Sequence, residues 1–386
     1  MLGPAVNKEI PAPQEDEYRD VAWAIPKLGE KFAPIWINRA KVSDFDVKFD
    51  VLFCGICHSD CHIGNNDMGG CHYPFVPGHE FLGKVTEVGA SVTKFKIGDH
   101  VGVGCYVDSC DECSSCAEGD IPYCEKGNVL SLNSDKKYKR VGGNKNERTM
   151  GGYSSTYVVH ETFAFKIPDA LDLSKAAPIL CGGITVYDPL RHWGATEEGR
   201  KMTIGVVGIG GLGTMGIKLS KALGHTVVAI STSPNKEALA KEKGADFFVA
   251  SADKDSIMAC AGKCDLILNT VSANHDLNVY LPLLGKNGTI VQLGLAFNPH
   301  PISQFMLMRG RKSISGSIVG SLKAHEEVLE LCAKHNIHPD CEIIEANKID
   351  WAWEQLTGPG GNKDGIRYVI DVKKSLANES FMPPKE

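Results

Sequence analysis

The chain has 386 residues and a mass of 41.7 kDa, enough for two domains with real hydrophobic cores. A net charge of −6 and a pI near 6.1 exclude the broad basic footprint of a nucleic-acid or membrane-surface binder. Fourteen cysteines could form a disulfide framework, but the start, Met1 to Arg19, carries prolines and acids instead of a signal peptide's apolar centre. No apolar run approaches membrane-spanning length. A cytoplasmic setting is therefore expected, where clustered cysteines are more often metal ligands than disulfides.

Residues 1–20 are expected to be a flexible lead-in. Trp23 to Asp50 alternates apolar and polar residues between Pro and Gly breaks, the pattern of short strands, and Asp46 to Phe53 is the clearest of them. That strand runs into Cys54, Cys57, His58, Ser59, Asp60, Cys61 and His62, then a turn-rich stretch, then Pro77, Gly78, His79 and Glu80. Thiolate and imidazole are the ligands zinc prefers. Cys57 and His79 are the expected pair, with Gly78 allowing the turn that aims the imidazole inward. Phe81–Val88 and His100–Tyr106 read as further strands, with Gly98 and Asp99 turning between strands.

A lobe spanning 105–126 follows. Cys110, Cys113, Cys116 and Cys124 have the density of a closed four-thiolate structural zinc site. The rival, an iron–sulfur cluster, is disfavoured by the long last gap and by Glu125 where the bacterial ferredoxin run has proline. Val129 to Gly152 reads as an exposed loop, including the basic run Lys136 to Arg140. Tyr153–Val159 reads as a strand, and Leu171–Ala177 as a helix start with Asp172 or Ser174 as cap. Cys181, set among apolar residues and glycines, reads in isolation as a core cysteine. It is also the obvious third ligand for Cys57 and His79.

The pattern then changes. Met202–Val207 is an apolar strand that enters Gly208, Gly210, Gly211 and Gly213, followed by a helical stretch from Thr214 to Leu223 and a second strand, Thr226–Ile230. That strand–turn–helix–strand setting is what a dinucleotide-binding glycine turn requires: the glycines let backbone approach a pyrophosphate, and the helix N-terminus supplies donors. Further strands are expected at Phe247–Ala250, Asp265–Thr270, Thr289–Leu293 and Ser313–Ile318. Helical segments are expected at Lys236–Lys243, Leu277–Leu284, Gln304–Met308 and Ala324–His335. The fold class is α/β: a β-rich catalytic domain plus a Rossmann-type doubly wound parallel sheet. Cys341–Glu345 and Ile366–Val372 read as returning strands.

An NAD site usually has a carboxylate at the end of the second strand to bind the ribose hydroxyls. Here that point reads Ser231, Thr232, Ser233, with Lys236 nearby. Hydroxyls and an ammonium suit a 2′-phosphate, and the missing acid removes the repulsion, so NADP(H) is the expected cofactor.

Taken in order, Cys57 to Asp60, Gly78 to Glu80, the four-cysteine lobe, Cys181 to Thr185 and the Gly208–Gly213 turn resemble the zinc-dependent medium-chain alcohol dehydrogenases. They resemble most closely the cinnamyl-alcohol-dehydrogenase-like, NADP-dependent branch. The resemblance runs from about Trp23 to Lys373 and implies a GroES-like catalytic domain. It also implies reversible hydride transfer between NADP(H) and a primary alcohol or aldehyde, over a broad range that includes aromatic and cinnamyl types. By the same resemblance Cys57, His79 and Cys181 hold catalytic zinc, with Glu80 able to approach the metal. The cysteine lobe holds a second zinc. Ser59 contacts substrate oxygen, with His62 and Asp67 in a proton relay. Thr185, Ser317 and Ile318 line the nicotinamide. The expected cofactor set is completed by Leu212 in the glycine turn and by Thr270 and Val271. Domain limits are expected at 1–181, 182–322 and 323–386, with a homodimer as the assembly. The loop 132–150 and the stretch 357–364 are longer than the family's usual. A zinc polyol or sugar dehydrogenase on the same scaffold, and a non-catalytic NADP(H)-binding redox sensor, are the alternatives.

Overall fold

The computed structural model describes residues 12–138, 140, 148–296, 298–358, 365–378 and 382–383. The start of the lead-in, most of the 139–147 loop, the 359–364 stretch and the extreme C-terminus lie outside the described residues.

Among the described residues, nine strands form before residue 170: β1 (Glu17–Ala24), β2 (Ala33–Ala40), β3 (Asp46–Ile56), β4 (Phe81–Val88), β5 (His100–Val103), β6 (Tyr106–Asp108), β7 (Val129–Leu130), β8 (Thr156–His160) and β9 (Phe165–Lys166). The lead-in is shorter than expected. Glu17 to Asp20 belong to β1, which pairs along its whole length with β2, and buried Asp20 accepts from Arg39 Nε at 2.8 Å. The expected His100–Tyr106 strand is two strands, broken at Gly104 and Cys105, and the expected Tyr153 start is delayed to Thr156.

β3 is the spine of this half. It pairs antiparallel with β4, and its first residues pair with β8. Its alternating Val47, Phe49 and Val51 are buried, and each such side chain contributes about 2 kcal/mol of apolar burial.

The second unit has β10 (Thr203–Val207), β11 (Thr226–Ser231), β12 (Phe247–Ala250), β13 (Cys264–Asn269), β14 (Leu284–Gln292) and β15 (Ser313–Gly316). They form one parallel sheet in the order β12-β11-β10-β13-β14-β15. The order reverses between β10 and β13, which is where open α/β sheets take their ligands. The expected helix over Leu277–Leu284 is instead two 3₁₀ turns, Leu277–Val279 and Leu281–Leu283. Pro282 lacks the N–H that a continuous helix would need there.

β16 (Cys341–Ile344) and β17 (Arg367–Asp371) return to the first sheet, where β17 pairs antiparallel with the end of β3. The helix Leu322–His335 links the two units. Ser321 caps it through Ala324 N at 3.2 Å, and Asn336 ends it in the left-handed region at φ 49.

Candidate metal and dinucleotide site

Strand register assembles the pocket. Ile56 of β3 pairs with Tyr368 of β17, so Arg367 and Cys57 follow as level neighbours. On the other side Cys54 pairs with Phe81, and Gly55 N donates to Glu80 O at 2.8 Å, which brings His79 and Glu80 alongside. Gly78 has φ 105, and a Cβ there would stand 2.8 Å from Cys54 Sγ, so the turn that aims His79 needs glycine. Cys181 arrives from a 3₁₀ turn, Ala177–Leu180, at the head of the helix Gly182–His192.

The ligand atoms of Cys57, His79, Glu80 and Cys181 all lie within 4.8 Å of one another, and all four residues are buried. Cys57 Sγ is 3.9 Å from Cys181 Sγ, which is 3.3 Å from His79 Nε2. Two thiolates on a tetrahedral zinc at bonds of about 2.3 Å stand roughly 3.8 Å apart, so the spacing fits such an ion. A hydrogen bond from Cys181 pulls the Cys57 pKa well down against burial, with help from Arg367. Burial raises the Glu80 carboxyl to about 7, with Arg367 opposing, and neither of its oxygens has a hydrogen-bond partner among the described residues.

Two residues that sequence reasoning gave no role complete the pocket. Asp60, 0% exposed, accepts from His79 Nδ1 at 2.9 Å, Gly78 N at 3.0 Å and Cys57 N at 3.0 Å. It therefore sets the His79 tautomer with the Nε2 lone pair turned toward the thiols. The acid three residues into a helix after Cys57 was the available signal, a capping-box spacing on the unexpected helix His58–Gly64. Arg367, 6% exposed, reaches from the thiols to the glycine turn: a Cβ on Gly211 would sit 2.8 Å from its Nε, and one on Gly182 2.8 Å from its Nη2. No local pattern in the sequence marks it.

On the helix His58–Gly64, Ser59 is exposed and lies one turn before His62. His62 Nδ1 is 2.7 Å from Asp67 Oδ2, and its ring stacks on His58 with centroids 4.6 Å apart. Among the described residues Ser59 itself shows no such contact, whereas His62 and Asp67 are brought together directly.

The cysteine lobe lies between β6 and β7. The Sγ atoms of Cys110, Cys113, Cys116 and Cys124 lie within 4.8 Å of one another, with Cys110 and Cys116 at 3.8 Å. Backbone N–H groups of Cys116 and Glu125 pull the Cys113 thiol down to about 6. Four converging thiols with no disulfide fit a closed metal site.

At the switch point Gly208 has φ 89, and a Cβ on Gly213 would overlap the Gly208 carbonyl oxygen. Gly210 faces open space, as a pyrophosphate cradle must. Leu212 packs against the core beside the turn. Thr270 Oγ1 donates to Val207 O at 2.8 Å, and Val271 Cγ2 would touch a Cβ on Gly208, so both wall the turn. After β11, buried Ser231 Oγ accepts from Ser233 N at 3.1 Å, Thr232 is exposed, and Lys236 Nζ donates to Ile209 O at 2.9 Å, beside the turn. Thr185 is buried next to Cys181, whose carbonyl takes its N–H at 3.0 Å. Ser317 Oγ lies 3.4 Å from Asp188 Oδ2, and Ile318 is exposed.

Comparison with known proteins agrees with this layout. Residues 43–169 match the alcohol dehydrogenase GroES-like domain, and residues 211–334 match the zinc-binding dehydrogenase domain. The chain is 44% identical over 359 residues to a protein named "Probable mannitol dehydrogenase" from Medicago sativa, covering 92% of this chain and 96% of that one. It is 43% identical over 351 residues to NADP-dependent alcohol dehydrogenase C of Mycobacterium tuberculosis, covering 91% and 98%. It superposes on a solved cinnamyl alcohol dehydrogenase from Sorghum bicolor with a TM-score of 0.84 at 39% identity, covering 93% and 99%. The fold and site define a metal-binding, dinucleotide-binding oxidoreductase. The chain belongs to the zinc-binding alcohol dehydrogenase family.

Proposed function

We propose that the protein is an NADP(H)- and zinc-dependent alcohol dehydrogenase/aldehyde reductase that transfers hydride reversibly between the nicotinamide and a broad range of primary alcohols and aldehydes, aromatic and cinnamyl types included. The observation that carries this is the meeting, through Arg367, of the Cys57–His79–Cys181 pocket and the glycine turn. Cys57, His79 and Cys181 would hold catalytic zinc, with Glu80 as an alternate oxygen ligand, and Cys110, Cys113, Cys116 and Cys124 would hold structural zinc. When bound, zinc supplies Lewis acidity toward the substrate oxygen, and the nicotinamide supplies or accepts hydride. Asp60 orients His79. Ser59 meets the substrate hydroxyl, and His62, set by Asp67, carries the proton toward solvent. Gly208, Gly210, Gly211, Leu212, Gly213, Thr270 and Val271 would cradle the cofactor. Thr185, Ser317 and Ile318 would face its nicotinamide end, while Ser231, Thr232, Ser233 and Lys236 would meet the 2′-phosphate.

We propose domain limits of 1–181, 182–322 and 323–386, a division supported by the return of β16 and β17 to the β3 sheet. A homodimer is supported by the edge position of β15 and by Phe305 and Met308, exposed by 68% and 76% on the neighbouring helix Gln304–Met308. A cytoplasmic setting is consistent with its fourteen free thiols. No helix among the described residues is long and apolar enough to cross a membrane.

A polyol dehydrogenase is the second reading, favoured by the name of the Medicago relative. Initial rates with aliphatic, benzylic and cinnamyl aldehydes and with mannitol, each with NADP(H) and NAD(H), separate the two. Aldehyde reduction with NADPH at far higher kcat/KM supports the first reading. Turnover of mannitol alone, or equal efficiency with NADH, overturns it.

A further inference from the structure

Asp340 lies outside both metal clusters and outside the cofactor set above, yet it joins three elements of the site. Its Oδ1 accepts a hydrogen bond from Lys218 Nζ at 3.1 Å, and Lys243 Nζ stands 3.2 Å from Oδ2 as an ion pair without hydrogen-bond geometry. Its carbonyl oxygen accepts the N–H of Arg367 at 2.7 Å, and the neighbouring His338 carbonyl takes a second bond from Lys218 at 2.8 Å. Lys218 lies two turns along the helix Gly211–Ala222, which begins at the glycine turn. Lys243 ends the helix Glu237–Glu242, which follows the Ser231–Lys236 turn. One side chain thus ties both helices that flank the dinucleotide crevice to the backbone atom that positions Arg367.

The lysines are only 18% and 14% exposed and the aspartate 33%, so solvent screens this joint less than a surface pair. The glycine turn and Arg367 are in contact at the other end of the same helix, where Gly211 leaves room for the guanidinium and a Cβ on Gly365 would stand 3.1 Å from Gly210 C. That helix is packed on its own sheet through buried Met215, Ile217 and Leu219, and it meets the β17 side at two points, Gly211 beside Arg367 and Lys218 on Asp340.

We propose that Asp340 is a positioning residue for the nicotinamide cofactor: it sets the register between the glycine-turn helix and Arg367, and so the geometry of the pyrophosphate cradle. The proposal rests on the NADP(H) reading above.

The test exploits a conflict of signs. Asp340→Asn removes a negative charge about two helical turns from the place of a polyanionic cofactor, so electrostatics alone would slightly tighten NADPH binding. Loss of register weakens it. In the zinc-loaded enzyme, we expect the Kd for NADPH, followed by protein fluorescence quenching, to rise about tenfold in D340N, the effect of losing one charge-assisted contact. kcat at saturating NADPH stays within about twofold, because Arg367 and the metal pocket keep their chemistry. Lys218→Met reads the same joint from the other side and serves if D340N does not fold. At high salt, where a remote charge effect is screened, its Kd still rises, and the double variant is no worse than the weaker single. An unchanged or lower Kd in D340N, a K218M defect that salt abolishes, or additive effects in the double variant overturn the proposal. Wild-type enzyme that fails to bind NADPH instead sinks the cofactor reading beneath it.

Discussion

Replacing Asp60 by Asn is the most informative perturbation of the metal pocket. The side chain is fully buried and accepts three N–H groups, two on Oδ1 and one on Oδ2. Asn is nearly isosteric and can keep Oδ1 facing His79 and Gly78. Its amide then turns donors toward the Cys57 N–H, leaving that group buried without an acceptor at a cost of about 1–3 kcal/mol. The surviving bond to His79 loses its charge assistance, which roughly halves its strength and makes the imidazole a poorer ligand. The first cost is common to the metal-free and metal-loaded pocket and lowers stability, whereas the weakened support of His79 lowers affinity for the pocket's zinc by about tenfold, within what outer partners of metal ligands contribute. The assay is the rate and extent of zinc transfer to a chromophoric chelator, with the cysteine lobe as internal control because Asp60 has no contact with it. One zinc should leave D60N far faster than wild type, and the other should leave at the same rate. Equal release of both from the two proteins would refute the claim that Asp60 orients His79.

The glycine turn gives a paired contrast. Gly213→Ala should fail to fold or lose most of its thermal stability, since its Cβ would overlap the Gly208 carbonyl, whereas Gly210→Ala should melt like wild type and lose NADPH affinity, because only the cofactor's space is filled. Ser231→Asp should cut kcat/KM for NADPH roughly a hundredfold by repelling the 2′-phosphate and leave NADH turnover intact or improved, checked by initial rates with both cofactors. His325 is buried, stacks on Phe165 with centroids 4.4 Å apart, and burial lowers its pKa to about 4. The unfolded chain therefore binds this proton more readily between pH 6.5 and 4. Its contribution, about 3 kcal/mol, is complete above pH 6.5 and is lost as pH falls through that window. Melting temperatures of His325→Phe across pH 4–7 should fall less steeply than those of wild type.

The two clusters of converging thiol and imidazole groups and the glycine turn were legible because their chemistry restricts residue type at short spacing: thiols in a dense run, a glycine before a histidine, glycines between an apolar strand and a helix. The parallel sheet was legible for a related reason, since strands buried on both faces read as apolar runs such as Thr203–Val207. The helix His58–Gly64 was not, because its residues are poor helix formers and it is held by Asp60 bonding back to Cys57 N. Arg367 and Asp340 were illegible for a different reason. Their roles come from β17 pairing with β3 and from contacts across the two units, and nothing within a few residues of either records those partners. The 3₁₀ turns at Leu277–Leu283 show the limit of periodicity where proline interrupts a run.

The central claim, a zinc held by Cys57, His79 and Cys181 at which NADPH reduces an aldehyde, is tested most directly by Cys57→Ser with a zinc count and NADPH-dependent aldehyde turnover on one sample. The account predicts two zincs and turnover in the wild type, and in the variant one retained zinc, intact NADPH binding and no turnover. Full turnover in the variant, or loss of the lobe's zinc in place of the pocket's, would contradict it.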